Sequence, residues 1–379
     1  MIKILLQKTV LLFVFLFSVN TFSQYYKLSE NAQISVITCG SGNELYSIYG
    51  HTGLRVCDVS NNLDVVYNYG NFDFATQNFY LKFVKGDLQY FVAASSFDDF
   101  MYEYKVTNRQ VWEQKLILTT LQKQNLFEQV NKTLFTNEKF YTYKFIDKNC
   151  TTLVLDKING VYGKNIISKK SNTEKSYRTI LYSFLENHFW ENFGINIIFG
   201  AKVDNKASKL FLPEELMQNM SVTKFNGKPI VEKSLILNKK TTEILSFNFW
   251  NSICPYILFL ILIVLLNKKE INIFYFLILG LIGVFFSTVG MYSQHQEIFW
   301  NYNVLLFNPI LILLVYFIEN NKSKLVFYCS IFNLICLAIY TLYLLNKAHL
   351  VMMLPMIICN SVLLFRIFLN NKKLLTSVK

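Results

Sequence analysis

Polar and apolar positions are finely interleaved over the first two-thirds of the chain and give way to long apolar runs in the last third. Ile34 to Cys39 reads as a short apolar strand, and Gly40-Ser41-Gly42-Asn43 as a turn. His51 to Asp58 predicts a strand, Ser60-Asn61-Asn62 a turn, and Asp64 to Tyr69 the returning partner of a hairpin. Leu88 to Ala94 predicts another strand, followed by a helix through Phe97, Phe100 and Tyr104. Arg109 to Leu118 looks extended. Leu121, Leu126, Val130 and Leu134 recur at helical spacing and predict a helix over Thr120 to Phe135. Phe140 to Phe145 alternates aromatic and polar residues as a strand does, and a helix is expected from Cys150 to about Ile158. No internal repeat is visible, and the elements add up to a mixed α+β domain over roughly residues 24–246.

From about Phe247 five apolar runs follow, at roughly 248–266, 271–290, 303–319, 325–345 and 349–369. Each approaches the length needed to cross a bilayer as a helix. The third is short and contains Pro309. Lys268 and Lys269 follow the first run, Lys322 and Lys324 the third, and Arg366, Lys372, Lys373 and Lys379 close or follow the fifth. The loop from Met291 to Tyr302 has no Lys or Arg, and the loop at 346–348 has only Lys347. Positive residues stay on the cytoplasmic side, so the alternation predicts an exported N-terminal domain and a cytoplasmic C-terminus. The N-terminus agrees: Lys3 and Lys8 precede a short apolar core from Val10 to Val19, and Thr21-Phe22-Ser23 offers a cleavage site near Ser23. The expected division is a signal peptide at 1–23, the exported domain at 24–246 and a five-helix membrane domain at 247–379.

Composition sharpens this picture. The 379 residues are 53% hydrophobic and 16% charged, more apolar than an ordinary soluble chain, and the excess lies in the leader and the last third. The formal charge of +12 calls for no nucleic acid, because part of it sits at the cytoplasmic ends of the apolar runs. The remainder includes Lys164, Lys169, Lys170, Lys202 and Lys206 in the exported domain, which suits either a solvated surface or an anionic membrane face. Four of the seven cysteines lie in apolar runs, leaving Cys39, Cys57 and Cys150 outside. Three is odd, so at least one has no partner there, and whether Cys39 and Cys57 pair is left open. No C-x-x-C pair or zinc-ligand spacing occurs, and no metal or cofactor is expected.

The candidate chemistry lies in Tyr49-Gly50-His51 and Asp147-Lys148-Asn149-Cys150-Thr151-Thr152. Asn149 is a good N-cap, which puts Cys150 at the positive end of a helix among unpaired backbone N–H groups. Both features favour the thiolate, the nucleophilic form, and the same N–H groups suit an oxyanion on an attacked carbonyl. Alone, each residue has a plain structural alternative, a buried cysteine or a strand histidine. Together they suggest a nucleophile and its base. A hairpin centred near Asn61 returns Asn68, Tyr69 and Gly70 beside His51, so Asn68 or Tyr69 is expected to orient the imidazole, with Asp64 less favoured. Tyr49, Asn149 and Thr151 flank the pair and are expected to contact substrate. The loop residues Gln294-His295-Gln296-Glu297, His295 first among them, are expected to meet a lipid headgroup or the cleft. His188 reads as structural.

Leu45 to Val56, Asn68 to Phe74 and Asn149-Cys150-Thr151-Thr152 resemble motifs of the exported domain of the Lnb-type lipoprotein N-acyltransferases of Bacteroidota. Phe211-Leu212-Pro213, His295, Asn301-Tyr302-Asn303 and Asn308-Pro309 fit the same resemblance. Histidine before cysteine is also the order in circularly permuted papain-like folds, and lecithin:retinol acyltransferase is similar in having a His-bearing strand and an Asn-Cys helix start. That family carries a second histidine on the next strand, which this chain lacks, so the orienting residue stays open.

The resemblance implies an α+β permuted papain-like exported domain followed by an all-α bundle of five transmembrane helices. It also implies an enzyme of the bacterial inner membrane with its N-terminal domain in the periplasm. Cys150 would take an acyl group from a phospholipid as a thioester, with His51 as base, and pass it to the α-amine of a diacylated lipoprotein. Two other readings compete. One is a periplasmic, membrane-anchored NlpC-type cysteine peptidase acting on peptidoglycan. The other is a non-catalytic envelope assembly protein.

Overall fold

A computed structural model describes residues 26–241 and 247–377, with side chains to Lys373. The expected signal peptide, and residues 242–246 at the expected domain boundary, lie outside the described residues. The strands are β1 (Gln33–Cys39), β2 (His51–Asp58), β3 (Leu63–Asn71), β4 (Gln89–Ser96), β5 (Val111–Lys115) and β6 (Phe140–Thr142), then a small ribbon of β7 (Lys224–Phe225) and β8 (Lys228–Pro229), and β9 (Leu235–Asn238). Seven of them form one antiparallel sheet in the order β6-β4-β3-β2-β1-β5-β9. β1 lies inside the sheet and is buried on both faces after Gln33, so its apolar run is continuous rather than alternating. Asn62, at φ 51°, closes the β2–β3 hairpin.

Seven helices accompany the sheet: α1 (Phe79–Lys85), α2 (Phe97–Val106), α3 (Thr120–Phe135), α4 (Cys150–Val161), α5 (Tyr177–Ser183), α6 (Phe189–Ile198) and α7 (Pro213–Val222). On one face, α3, α4 and α7 bring Leu126, Val130, Val154, Ile158 and Leu216 against Leu54 and Val56. On the other, Phe100, Met101 and Tyr104 of α2 pack with Ile37, Cys39, Val66 and Val111. Cys39 and Cys57 face opposite ends of β1, Cys39 paired with His51 and Cys57 with Gln33, and both are free thiols.

The apolar third forms α8 (Ile253–Leu266), α9 (Lys269–Tyr292), α10 (Ile310–Glu319), α11 (Ser323–Leu344) and α12 (Leu350–Ser377). Among the described residues four stretches are long and apolar enough to cross a membrane: Lys269–Tyr292, Gln296–Glu319, Ser323–Leu344 and Leu350–Lys373. The first expected run yields α8, with only 14 residues. The span Gln296–Glu319 is regular α-helix only from Ile310; before Pro309 it runs as two 3₁₀ turns, Gln296–Ile298 and Tyr302–Leu305.

The two parts are joined by buried polar groups. On the exported side, Arg178 of α5 orders the joint from within its own part: it donates to Asp204 at 2.8 Å, to Asn196 of α6, and to the carbonyls of Phe199 and Gly200. Asn303 donates to the carbonyls of Asn196 and Ile197 and accepts from Tyr340 of α11 at 2.7 Å. Lys347, between α11 and α12, lies 3.9 Å from Asp204.

Candidate active site

Cys150 is the first residue of α4. Asn149 caps the helix: its Oδ1 accepts from the Thr152 N–H at 3.0 Å, and the Thr152 hydroxyl accepts from the Asn149 N–H at 2.8 Å. The Asn149 amide donates to the carbonyls of Phe145 and Phe211 at 2.8 and 2.9 Å, so its carboxamide is fully spent on holding the helix start. Thr151, fully buried, shares a 3.0 Å hydroxyl hydrogen bond with Thr52, which pins α4 to β2 one residue from His51.

His51 and Cys150 meet as a hydrogen-bonded pair. Burial pushes the Cys150 thiol up; the His51 imidazolium, the Thr52 backbone N–H and the Thr151 hydroxyl outweigh it, and the net direction is down. Burial pushes His51 down; the Cys150 thiolate and the Asn68 carboxamide pull it up, and the net direction is up. The two shifts run in opposite directions, each toward the charged form of its group.

The two candidates for orienting the imidazole part company here. Asn68 Oδ1 lies 3.2 Å from His51 Nε2. Its amide nitrogen faces Val66 O and Ser95 Oγ, each at 3.4 Å, which turns the oxygen toward the ring and makes Nε2 the protonated nitrogen. Tyr69 is one residue on and so points to the opposite face. There it is buried in the core, with its hydroxyl near Thr133. Asp64 is taken by Arg55, at 2.6 and 2.7 Å. Gly70, at φ 96°, leaves the thiol side open: a Cβ there would sit 3.9 Å from that of Cys150.

The remaining expected contacts lie further out. Tyr49 packs its ring on Phe145 and Phe184 and buries its hydroxyl without a partner. His295 bonds the carbonyl of Phe83 at 2.8 Å. His188 stands at the N-cap of α6. A cavity of about 250 Å³, lined by Asp73, Lys82, Asp87 and Gln89 among others, does not include the pair. Among the described residues no group of three or more His, Cys, Asp or Glu side chains has the arrangement to hold a metal ion.

Sequence reasoning passed over Tyr143. Tyr143, stacked on Tyr90 at 4.5 Å between ring centroids, lies within electrostatic reach of both Cys150 and Glu297. Glu297 is 2% exposed and has no partner for either carboxylate oxygen. The sequence places Glu297 in the loop expected to meet a headgroup or the cleft, and only the fold shows its carboxylate buried.

A family model described as the Lnb N-terminal periplasmic domain matches residues 20–182, which hold His51, Asn68 and Cys150. No curated protein and no solved structure matches the chain.

Proposed function

We propose, from the premise that this chain carries an Lnb N-terminal periplasmic domain ahead of four membrane-length apolar helices and so fits an Lnb-type N-acyltransferase, that it moves a fatty acyl chain from a phospholipid to the α-amine of a diacylated lipoprotein. The observation that carries the reading is the hydrogen-bonded Cys150–His51 pair on a domain locked to membrane helices. A thiolate beside an imidazolium suits ping-pong acyl transfer, and both substrates are anchored in the bilayer that the helices enter.

In the first half-reaction the Cys150 thiolate attacks the ester carbonyl of the phospholipid. The new S–C bond forms, the ester C–O bond breaks, and the His51 imidazolium gives its proton to the departing lysophospholipid oxygen. Backbone N–H groups at the start of α4 face the tetrahedral oxyanion. In the second half-reaction the neutral α-amine attacks the thioester. His51 takes the amine proton, the Cys150 thiolate leaves, and the ion pair is restored with an amide as product. Asn68 holds the ring in the tautomer this cycle needs. We assign Asn149 and Thr151 to positioning Cys150, and Tyr49 to packing Phe145, whose carbonyl holds Asn149. We assign Glu297, buried with no partner for either carboxylate oxygen, to receiving the acceptor's amine.

The domain is a permuted papain-like fold in this reading, and α8 makes a fifth pass. Its start lies by the exported domain, where Trp190 donates to the Trp250 carbonyl at 2.7 Å. Its far end meets Arg366 of α12, which donates to Val264 O at 2.7 Å.

Incubating the purified full chain with phospholipid and an N-terminal diacylglyceryl lipopeptide is expected to add one fatty acyl group to the peptide, read as intact mass. Cys150→Ser is expected to add none. Release of muropeptides from peptidoglycan, with no acyl gain, would overturn the reading in favour of a peptidase. Glu297→Gln is expected to form the acyl-enzyme at the wild-type rate and to discharge it to lipopeptide at least tenfold more slowly, with discharge to neutral hydroxylamine unchanged.

A further inference from the structure

The connection between β3 and β4 leaves large apolar side chains uncovered. Phe74 is 67% exposed, Tyr80 78% and Leu81 64%, and Phe83 and Val84 are also exposed. These residues sit on or beside α1, whose last turn carries Lys82 and Lys85. An exposed apolar helix face with lysines at its end is the pattern of a segment lying in a membrane interface.

The molecule itself shows at what level this segment sits. It is bound to the end of α9, one of the membrane-length helices, by three hydrogen bonds. Ser293 Oγ donates to Val84 O at 2.7 Å, the Gln294 N–H to Lys85 O at 2.6 Å, and His295 Nε2 to Phe83 O at 2.8 Å. Gly86, at φ 75°, lets the His295 ring approach: a Cβ there would lie 3.0 Å from it. Met291 and Tyr292, the last residues of α9, are themselves exposed. The apolar face of α1 is thus fixed where a transmembrane helix leaves the bilayer. A row of rings links it to the thiol side: Phe74 to Phe79 at 5.0 Å, Phe79 to Phe72 at 5.9 Å, Phe72 to Tyr90 at 5.2 Å, and Tyr90 to Tyr143, which is within electrostatic reach of Cys150.

We propose that Phe74 and the outer face of α1 form an aromatic wedge submerged among the acyl chains of the outer leaflet, which holds the mouth of the Cys150 cleft at the depth of phospholipid ester groups. The His295 ring is the clamp that sets the wedge. The depth assignment deepens the acyltransferase reading and rests on it; the lipid contact stands on the wedge alone.

The test uses the full chain in phospholipid nanodiscs. A phospholipid carrying a photoactivatable diazirine on its acyl chain is expected to label peptides covering residues 72–84, mapped by mass spectrometry. Labelling of the membrane helices without this segment would overturn the proposal. So would a cross-link joining the 72–84 segments of two copies without lipid adduct, which assigns the face to a dimer. Tyr80→Ser combined with Leu81→Ser is expected to slow thioester formation on Cys150 from bilayer phospholipid at least tenfold. It is expected to leave acylation by a soluble short-chain nitrophenyl ester unchanged, and the conservative Leu81→Met to keep both rates. Equal loss with both donors would overturn the wedge's role in donor loading. No thioester in the wild type from either donor would instead sink the acyltransferase reading, while the lipid labelling would still decide the wedge.

Discussion

Cys150 sits in surroundings that on burial alone would keep its proton, and His51 reverses that. Thiolate is therefore present below the ordinary thiol range and grows as pH rises through the lowered Cys150 value. The imidazolium is lost only as pH rises through the raised His51 value. Acyl-enzyme formation is expected to follow a bell whose rising limb belongs to Cys150 and whose falling limb belongs to His51. Alkylation of Cys150 by iodoacetamide, followed peptide by peptide, is expected to have a midpoint below 9.0 in the wild type. In His51→Ala the midpoint is expected to move up, since burial then loses its main opponent. Asn68→Ala is expected to keep the thiolate but slow acylation roughly 10- to 100-fold, on the scale of one positioned acid–base group. Both ends of the pair were legible in the sequence, because a capping asparagine before a cysteine and a histidine opening a strand are local signals. Asn68 was legible only as one of two neighbours; strand alternation, which puts residues 68 and 69 on opposite faces, makes the choice. The Phe83 carbonyl that holds His295 was not legible, because main-chain acceptors leave no mark in a sequence.

At the scale of elements, hairpin β2–β3 and helices α2, α3 and α4 follow from period and caps. Thr119 and Gln122 form a capping box at α3, as Asn149 and Thr152 do at α4. Asn149→Ala is expected to lower stability by roughly 2 kcal/mol, from the lost cap and two unpaired carbonyls, seen as a lower Tm of the purified chain. The wedge helix α1 escaped notice because seven residues carry too little period to read. β9 escaped because four partly exposed residues at a sheet edge resemble a loop. In the membrane part Pro309 marked the break in the third run, and the structure shows its extent: the backbone stays irregular from Gln296 up to α10. α9 packs against this irregular stretch through Gly283, where a Cβ would overlap the Phe307 carbonyl, and against α10 through Gly280, where one would come within 2.7 Å of Ile312. Gly283→Ala is expected to push the two apart and to lower Tm, whereas Gly163→Ala, which meets nothing within 4 Å, is expected to cost only its positive-φ strain.

For the whole molecule, the exported domain meets the helices through buried polar groups, Asn303 on the Asn196 and Ile197 carbonyls and Lys347 toward Asp204. Arg178 alone serves Asp204, Asn196 and two carbonyls, and Asp204 also faces Lys347. Arg178→Ala leaves Asp204 buried without its main partner and is expected to cost about 3 kcal/mol. Arg178→Lys is expected to cost nearly as much, since an ammonium cannot reproduce the fork. Thermal unfolding in detergent, compared with limited proteolysis between residues 241 and 250, checks both. The helix lengths have a consequence of their own. α8, with 14 residues, measures about 21 Å along its axis, against a hydrocarbon core of about 30 Å. With α8 as the proposed fifth pass, lipid bordering it would compress to match, which would make that flank a place of hydrophobic mismatch. A thinned bilayer exposes its ester linkages to approach from above, so the same protein would respond to the chain length of the membrane around it before any chain is bound.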